Sequence, residues 1–438
     1  MAATTLSARN DGIGLELAIR AIELALRPLQ VLAAVPSFLF LAALTAMLLR
    51  PPFPSLFEFD RLAFGLLVVG VAVRAVVLRE RFWGVRATWP MIGLFVLAMA
   101  SLLSRPFDSE AWSVMAAKFL VPFTLFHLAG LVFTEERRFR QFEIFALAVL
   151  AYLSFTAIAS LVGARSLIFP RFIVDENLGY QLDRARGPFL QAVANGMSLN
   201  LLGLLAVHAY RRGSARGSKM MLLLASVPIA ILATMTRTVW LSFAATVVAL
   251  VFLAKEGRVR RTCMVLTLVA GMGLAVVVCS TAFLGRLSDR AEERGPIDFR
   301  AAVYAGSWQM FLDRPFTGWG FHQMPANLPR YVSGYNESTL YPHNTYLELM
   351  VEEGAAGLAL YLWLMWELWR LARGAGMVGE RRGFLDVAFH RMWPILLAVY
   401  WINAATVVMN YQFVNGLLFT MAGMLAAQQR RAEALSQC

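Results

Sequence analysis

The sequence predicts an all-α polytopic membrane protein with about twelve transmembrane helices and two long segments on its outer face. Three observations predict it. Of 438 residues, 59% are hydrophobic and 16% are charged, whereas about a quarter of a soluble domain is charged. The apolar residues fall in blocks long enough to cross a bilayer, which takes about 20 residues per helix. The blocks run without alternation, as helices do and barrel strands do not, because backbone groups in lipid must be satisfied within the segment.

The apolar spans read as 31–49, 63–78, 88–104, 112–133, 141–163, 191–210, 219–236, 237–254, 263–285, 346–369, 393–409 and 414–428. The first 30 residues carry Asp11, Glu16, Arg20, Glu23 and Arg27 and no apolar run ending in a small-residue cleavage site, so the first span is expected to be an uncleaved insertion signal. Spans seven and eight meet at Thr236-Arg237-Thr238, which leaves almost no loop between them.

Charge gives the orientation. With both termini in the cytoplasm, 24 basic residues lie inside and 14 outside, and every short inner loop is basic. The net charge of +12 then follows from topology. Nucleic acid is not an expected partner, since no basic stripe with interleaved aromatics appears. Cys263, Cys279 and Cys438 have no metal-ligand or disulfide spacing.

This divides the chain into spans one to nine over 1–285, with an outer loop at 164–190, a large outer loop at 286–345, and spans ten to twelve with the C-terminus over 346–438. Both outer loops are too long to be connectors alone. The larger contains a helix-like stretch near 298–312 and the turn-rich run Pro315-Phe316-Thr317-Gly318-Trp319-Gly320.

Chemistry-bearing residues gather at the outer face. His343 stands where the large loop enters span ten, placed to act as a general base near neutral pH or, equally, to start a helix capped by Asn344 or Thr345. His127 reads as an interhelical hydrogen-bonding residue, His208 and His390 as solvated boundary residues, and His322 as a lesser candidate in the large loop.

Arg184, Arg186, Arg237 and Arg300 form an outer set of guanidinium groups, which suit phosphate by their planar fork. Each could instead pair with Asp175, Glu176, Asp183 or Asp298. Arg237, in its tight turn, has the strongest claim to function. Lys118, in the outer half of span four, either snorkels or faces the same cavity. Asn344, Glu348 and Glu352 share a helix face by their four-residue spacing, beneath His343. Trp308, Trp319, Phe321, Tyr331, Tyr335 and Tyr341 offer faces for sugar stacking, or interface anchors.

There is no P-loop, no dinucleotide-binding glycine motif, no H-E-x-x-H and no G-x-S-x-G. No cofactor is expected, and no outer aspartate cluster resembles a divalent-metal site.

His343-Asn344, nine residues, Gly354, two residues and Gly357 resemble the H-[NSQ]-x9-G-x2-[GTY] pattern of O-antigen ligases and related polymerases. Arg237 followed by three residues and Leu241 resembles that family's R-x3-L element. Arg186-Gly187-Pro188-Phe189 and the Pro315 to Gly320 turn look like the family too. The resemblance spans about 180–360.

It implies a fold of the membrane glycosyltransferase C type in the bacterial inner membrane, with a periplasmic site. It implies an undecaprenyl-diphosphate-linked glycan donor and metal-independent, inverting transfer. His343 would be the general base and Arg237 would hold the diphosphate. Arg186, Arg184, Arg300, Asn344, Lys118 and Glu348 would contact substrate. The acceptor would be lipid A–core oligosaccharide in a ligase, or another lipid-linked unit in a polymerase. Polymerases often carry R-x10-G, and here nine residues separate Arg186 from Gly196, which favours the ligase.

A reading of another class is a transporter or lipid flippase. It fits poorly, because the chain shows no internal repeat and its polar residues collect at one face.

Overall fold

The computed structural model describes residue 27 and residues 30–50, 58–80, 83–179, 182–253, 295–333, 340–374 and 383–436. The expected span 263–285 with Cys263 and Cys279, the basic run from Lys255 to Arg261, Tyr335 and Cys438 lie outside them.

The described residues form helices and turns with no strand. The main helices are α1 (Pro36–Leu48), α2 (Glu58–Val77), α3 (Thr88–Leu103) and α4 (Ser109–Val132). They continue with α5 (Glu136–Leu161), α6 (Ala192–Arg212), α7 (Ser218–Ala233) and α8 (Arg237–Leu253). Last come α9 (Gly295–Asp313), α10 (Thr345–Arg370), α11 (Val387–Ala404) and α12 (Gln412–Ser436). α4, α5 and α6 are long and apolar enough to cross a membrane, and α1, α3, α7 and α8 are shorter apolar helices. Spans seven and eight are two separate helices. Their turn is made by Met235 in the left-handed region (φ 49), with the Met235 N–H donating to the Leu232 carbonyl at 3.1 Å.

α6 is buried along most of its length, from Ala192 to Ala209, and packs against α5, α7 and α11. α12 lies along α4. Their approach depends on small residues, as helix pairs in lipid commonly do. A side chain at Gly423 would run into the Phe126 carbonyl, and one at Gly130 would meet Trp83 and Ala427.

α4 is not a regular α-helix. Residues Ala116–Leu120 take the wider π turn, with the Val121 N–H reaching the Ala116 carbonyl. In that register the next donor would be Pro122, which has no N–H. The Ala117 carbonyl is therefore left over, and Asn415 Nδ2 of α12 donates to it at 3.3 Å. The bulge turns Lys118 into the protein, where it is buried. Single π turns of this kind frequently sit at functional sites.

The end of the bundle opposite His343 is tied by ion pairs. Arg211 pairs with Asp386, and Arg212 donates to Glu143 at 2.9 Å and to Glu136 at 2.5 Å. His208 and His390 are buried here, which corrects the expectation that they are solvated. His208 Nε2 meets the Phe384 carbonyl at 2.7 Å, and His390 Nδ1 the Asp386 carbonyl at 3.1 Å. The segment at Phe384 removes His208 from water, and packing around the start of α11 removes His390. His127 packs edge-on against Trp83, ring centroids 5.3 Å apart.

The large loop builds a small core of its own from Val303, Met310, Met324, Leu328, Val332 and Leu340, closed by Val351 of α10. Its attachment to α10 is the most informative feature of the fold. α10 breaks at Gly354 (φ 69, ψ −169), a conformation open essentially to glycine alone. The helix ladder is there exchanged for bonds to the loop. The Trp319 N–H donates to the Val351 carbonyl at 2.9 Å, and the Gly320 N–H to the Glu352 carbonyl at 2.7 Å. In return the Ala355 N–H donates to the Pro315 carbonyl at 2.8 Å. Gly318 and Gly354 lie so close that a side chain on either would strike the other strand's backbone.

Gly354→Ala should therefore cost about 1–3 kcal/mol from backbone strain alone, and more from the clash with the Phe316 carbonyl. Thermal unfolding of purified protein checks this. Gly65→Ala, where nothing lies within 4 Å, should leave the transition unchanged or raise it slightly.

Candidate functional site

The break in α10 sets the position of its first turns, and these carry His343. Asn344 is the N-cap: its Oδ1 accepts from the Tyr346 N–H at 3.0 Å and from the Leu347 N–H at 3.1 Å. Thr345 fixes the same end from the side. Its Oγ1 donates to the Val407 carbonyl at 2.8 Å and accepts the Met409 N–H at 2.9 Å. His343, just outside the cap, is in the left-handed region (φ 47) and its side chain is exposed. Non-glycine residues held there are uncommon and concentrate at functional sites. Its ring makes no hydrogen bond to a described residue. Nearby protein strips part of its hydration and Arg300 repels added positive charge, and both hold the imidazole below its ordinary pKa.

Four further elements meet at this end. α9 brings Arg300, which is exposed, and one turn on the Tyr304 hydroxyl donates to the Ala405 carbonyl at 3.4 Å. α8 starts at Arg237, also exposed. A turn and a half below it Ser242 Oγ accepts from Asn403 Nδ2 of α11 at 3.0 Å. The stretch after α11 is the one that holds Thr345. Ala185 joins the end of α7, its N–H donating to the Ala233 carbonyl at 2.9 Å. A chain of hydrogen bonds thus gathers Arg184, Arg237, Arg300 and His343 at one end of the molecule.

Arg186 is used differently. It is buried, and its guanidinium donates to the carbonyls of Ile173 (2.9 Å), Asp175 (2.6 Å) and Leu178. Burial lowers its pKa, with Asp175 opposing the shift. Its fork is occupied in folding the loop between α5 and α6. Arg184 beside it is half-buried.

Lys118 neither snorkels nor joins the arginines. It forms an ion pair with Glu348, and both are buried. Its ammonium also stands 5.8 Å from the rings of Phe119 and Phe321. Glu352, one turn further along α10, takes the Met324 N–H on Oε1 at 3.2 Å and so ties α10 to the large loop a second time. Asn344, Glu348 and Glu352 thus serve to hold α10 in place.

Arg105 escaped notice in the sequence, where nothing local sets it apart from the other arginines. It donates to the Trp319 carbonyl at 2.6 Å, and Ser101 Oγ accepts the Phe321 N–H at 2.8 Å, so α3 clamps the loop turn from its other side. His322 lies 3.8 Å from Glu110. Among the loop aromatics, Phe321 is buried and packs on Phe119, while Trp308 and Tyr341 are exposed. Among the described residues no group of three or more His, Cys, Asp or Glu is placed to hold a metal ion.

The fold and site define a class: a helical protein with helices apolar enough to cross a membrane, which gathers a histidine and several arginines at one end, beside a helix broken to receive a long loop. Residues 220–362 match the family model described as O-antigen ligase. That segment contains Arg237, Arg300, His343, Gly354 and Gly357, and over those residues the chain is similar to the O-antigen ligase family. That family is one of membrane glycosyltransferases of the ligase or polymerase type. No curated protein matches the chain.

Lys118→Met should leave Glu348 as an uncompensated buried charge, at a cost of about 3–5 kcal/mol. Adding Glu348→Gln should recover most of the loss. The measurement is a double-mutant cycle on thermal stability, and additive losses would show that the two side chains are not coupled.

Proposed function

We propose that the protein transfers a glycan from an undecaprenyl-diphosphate-linked donor to lipid A–core oligosaccharide, at the periplasmic face of the bacterial inner membrane. Both termini are then cytoplasmic. The observation that carries the reading is the presentation of His343: exposed, left-handed, without a hydrogen bond to any described residue, and fixed by the Asn344 cap just above the Gly354 break.

Neutral His343 accepts the proton of the acceptor hydroxyl. The freed oxygen lone pair attacks the anomeric carbon on the face opposite the diphosphate, and the carbon–oxygen bond to the diphosphate breaks with inversion. Arg237 binds the diphosphate and stabilises its growing charge, a task that suits a permanently charged fork. No metal is required in this scheme. Arg300 and Arg184 add positive potential around the donor. Arg186, Asn344, Lys118 and Glu348 support the site by holding its loop and helix. A polymerase reading differs in one respect, the acceptor, which is then a second lipid-linked unit.

The test uses purified protein, a lipid-diphosphate-linked glycan and each acceptor separately, with products followed by gel shift and mass spectrometry. Label on lipid A–core is expected. Lengthening of the lipid-linked glycan without that acceptor would replace ligase by polymerase. His343→Ala should insert normally and lose about 10²–10⁴-fold in rate, and Arg237→Lys on the order of 100-fold. Substantial transfer by the His343 variant would remove it as the base.

The pH profile gives a second test. The active form of His343 is neutral, and its pKa lies below the ordinary 6.5. Activity should therefore persist as pH falls through 6.5 and disappear further down, as the ring gains its proton. Arg300→Gln removes one cause of the lowering, so the acid limb of kcat/KM should move to higher pH. A limb that stays fixed would mean another group titrates.

A further inference from the structure

At the end of the molecule opposite His343 there is a cleft of about 910 Å³. It lies between the start of α3, the end of α10 and the last turns of α12. Four arginines line it: Arg86, Arg370, Arg373 and Arg430. Two acids, Glu367 and Glu433, share the lining. Glu367 is buried and already engaged, accepting from Trp363 Nε1 at 3.2 Å and Arg370 Nη1 at 3.4 Å. The cleft is thus net positive, with arginine forks of the geometry that grips phosphate.

Its floor is built in advance. The turn Leu371–Gly374 is pinned to α12 by Gln429 Nε2, which donates to the Leu371 carbonyl. Gly374 has no side chain where Gln429 passes. One wall is apolar and outward-facing: Trp89 is 67% exposed and Ile92 48%. Both lie on the flank of α3, a helix that the hydropathy places against lipid. Arg373 sits over the ring of Trp366, 5.9 Å from its centre. A soluble anion would use the arginines and leave that wall bare. A molecule with a phosphate head and hydrocarbon tails uses both.

From this we infer that the cleft is a binding site for an anionic phospholipid of the cytoplasmic leaflet. The phosphate lies among Arg86, Arg370 and Arg430, and the acyl chains run along Trp89 and Ile92. Basic pockets between helices on this side of a membrane have the right chemistry for such headgroups. The inference does not depend on the transfer reaction; its leaflet rests on the orientation proposed above.

The experiment is native mass spectrometry of the full-length protein, delipidated in neutral detergent. The probes are tetraoleoyl cardiolipin, dioleoyl phosphatidylglycerol, dioleoyl phosphatidylcholine and free glycerol 3-phosphate. The wild-type protein should retain one anionic lipid in preference to phosphatidylcholine. Arg86→Gln/Arg370→Gln/Arg430→Gln should weaken that binding about tenfold or more. A charge-matched control, Arg137→Gln/Arg140→Gln/Arg391→Gln, removes exposed arginines of the same face outside the cleft and should bind as wild type. Trp89→Ala should weaken the lipids only. Should the triple variant not fold, Arg430→Gln alone, at the exposed end of α12, carries the same test with a smaller loss. Equal loss in the control, equal retention of phosphatidylcholine, glycerol 3-phosphate binding as tightly as lipid, or no binding at all would each overturn the proposal.

Discussion

The exchange of hydrogen bonds at Gly354 is the constraint on which the His343 end of the molecule depends. A broken helix leaves carbonyls that need donors from elsewhere. Here the loop supplies the donors: the Trp319 and Gly320 N–H groups take the Val351 and Glu352 carbonyls, and Pro315 accepts from Ala355. The loop and the helix thus each complete the other. The clash that any side chain would meet at Gly318 or Gly354 shows how closely the two backbones approach. The small loop core and the aim of His343 both follow from this junction.

The buried charges act on the same element. α10 carries Glu348, Glu352 and Glu353 within its first turns, all buried. Three acids in such a place need compensation. The π turn in α4 delivers Lys118 to Glu348, and the loop N–H of Met324 reaches Glu352. The irregularity in α4 and the break in α10 are therefore coupled through a single ion pair. Arg105 and Ser101 close the arrangement from α3 by holding the loop turn itself.

Much of this was legible in the sequence. Hydropathy located eleven of the apolar segments that appear as described helices, because long apolar runs carry a strong local signal. The helix-like stretch in the large loop and the Asn344 cap were legible for the same local reason. The Pro315–Gly320 run read as a turn but gave no hint of where it docks, since its partners lie about 35 residues away in sequence. The burial of His208 was missed because it arises from the segment at Phe384, which is distant in sequence, and that of His390 because packing around the start of α11 is not a local signal. Arg186 looked like a ligand-binding arginine, and the carbonyls that fill its fork belong to irregular backbone that periodicity cannot foresee.

Burial decides what each cation does. Arg186 and Lys118 are enclosed, and an enclosed cation must find its partners within the protein. One takes three carbonyls and the other a carboxylate. Arg237 and Arg300 stand at the surface, where water keeps a charge affordable until a ligand displaces it. Exposed arginines and an exposed histidine stand at one end, above the buried pair of Lys118 and Glu348, and they are the groups that the proposed diphosphate and hydroxyl would meet. That placement is what suits this end of the helical bundle to the proposed chemistry.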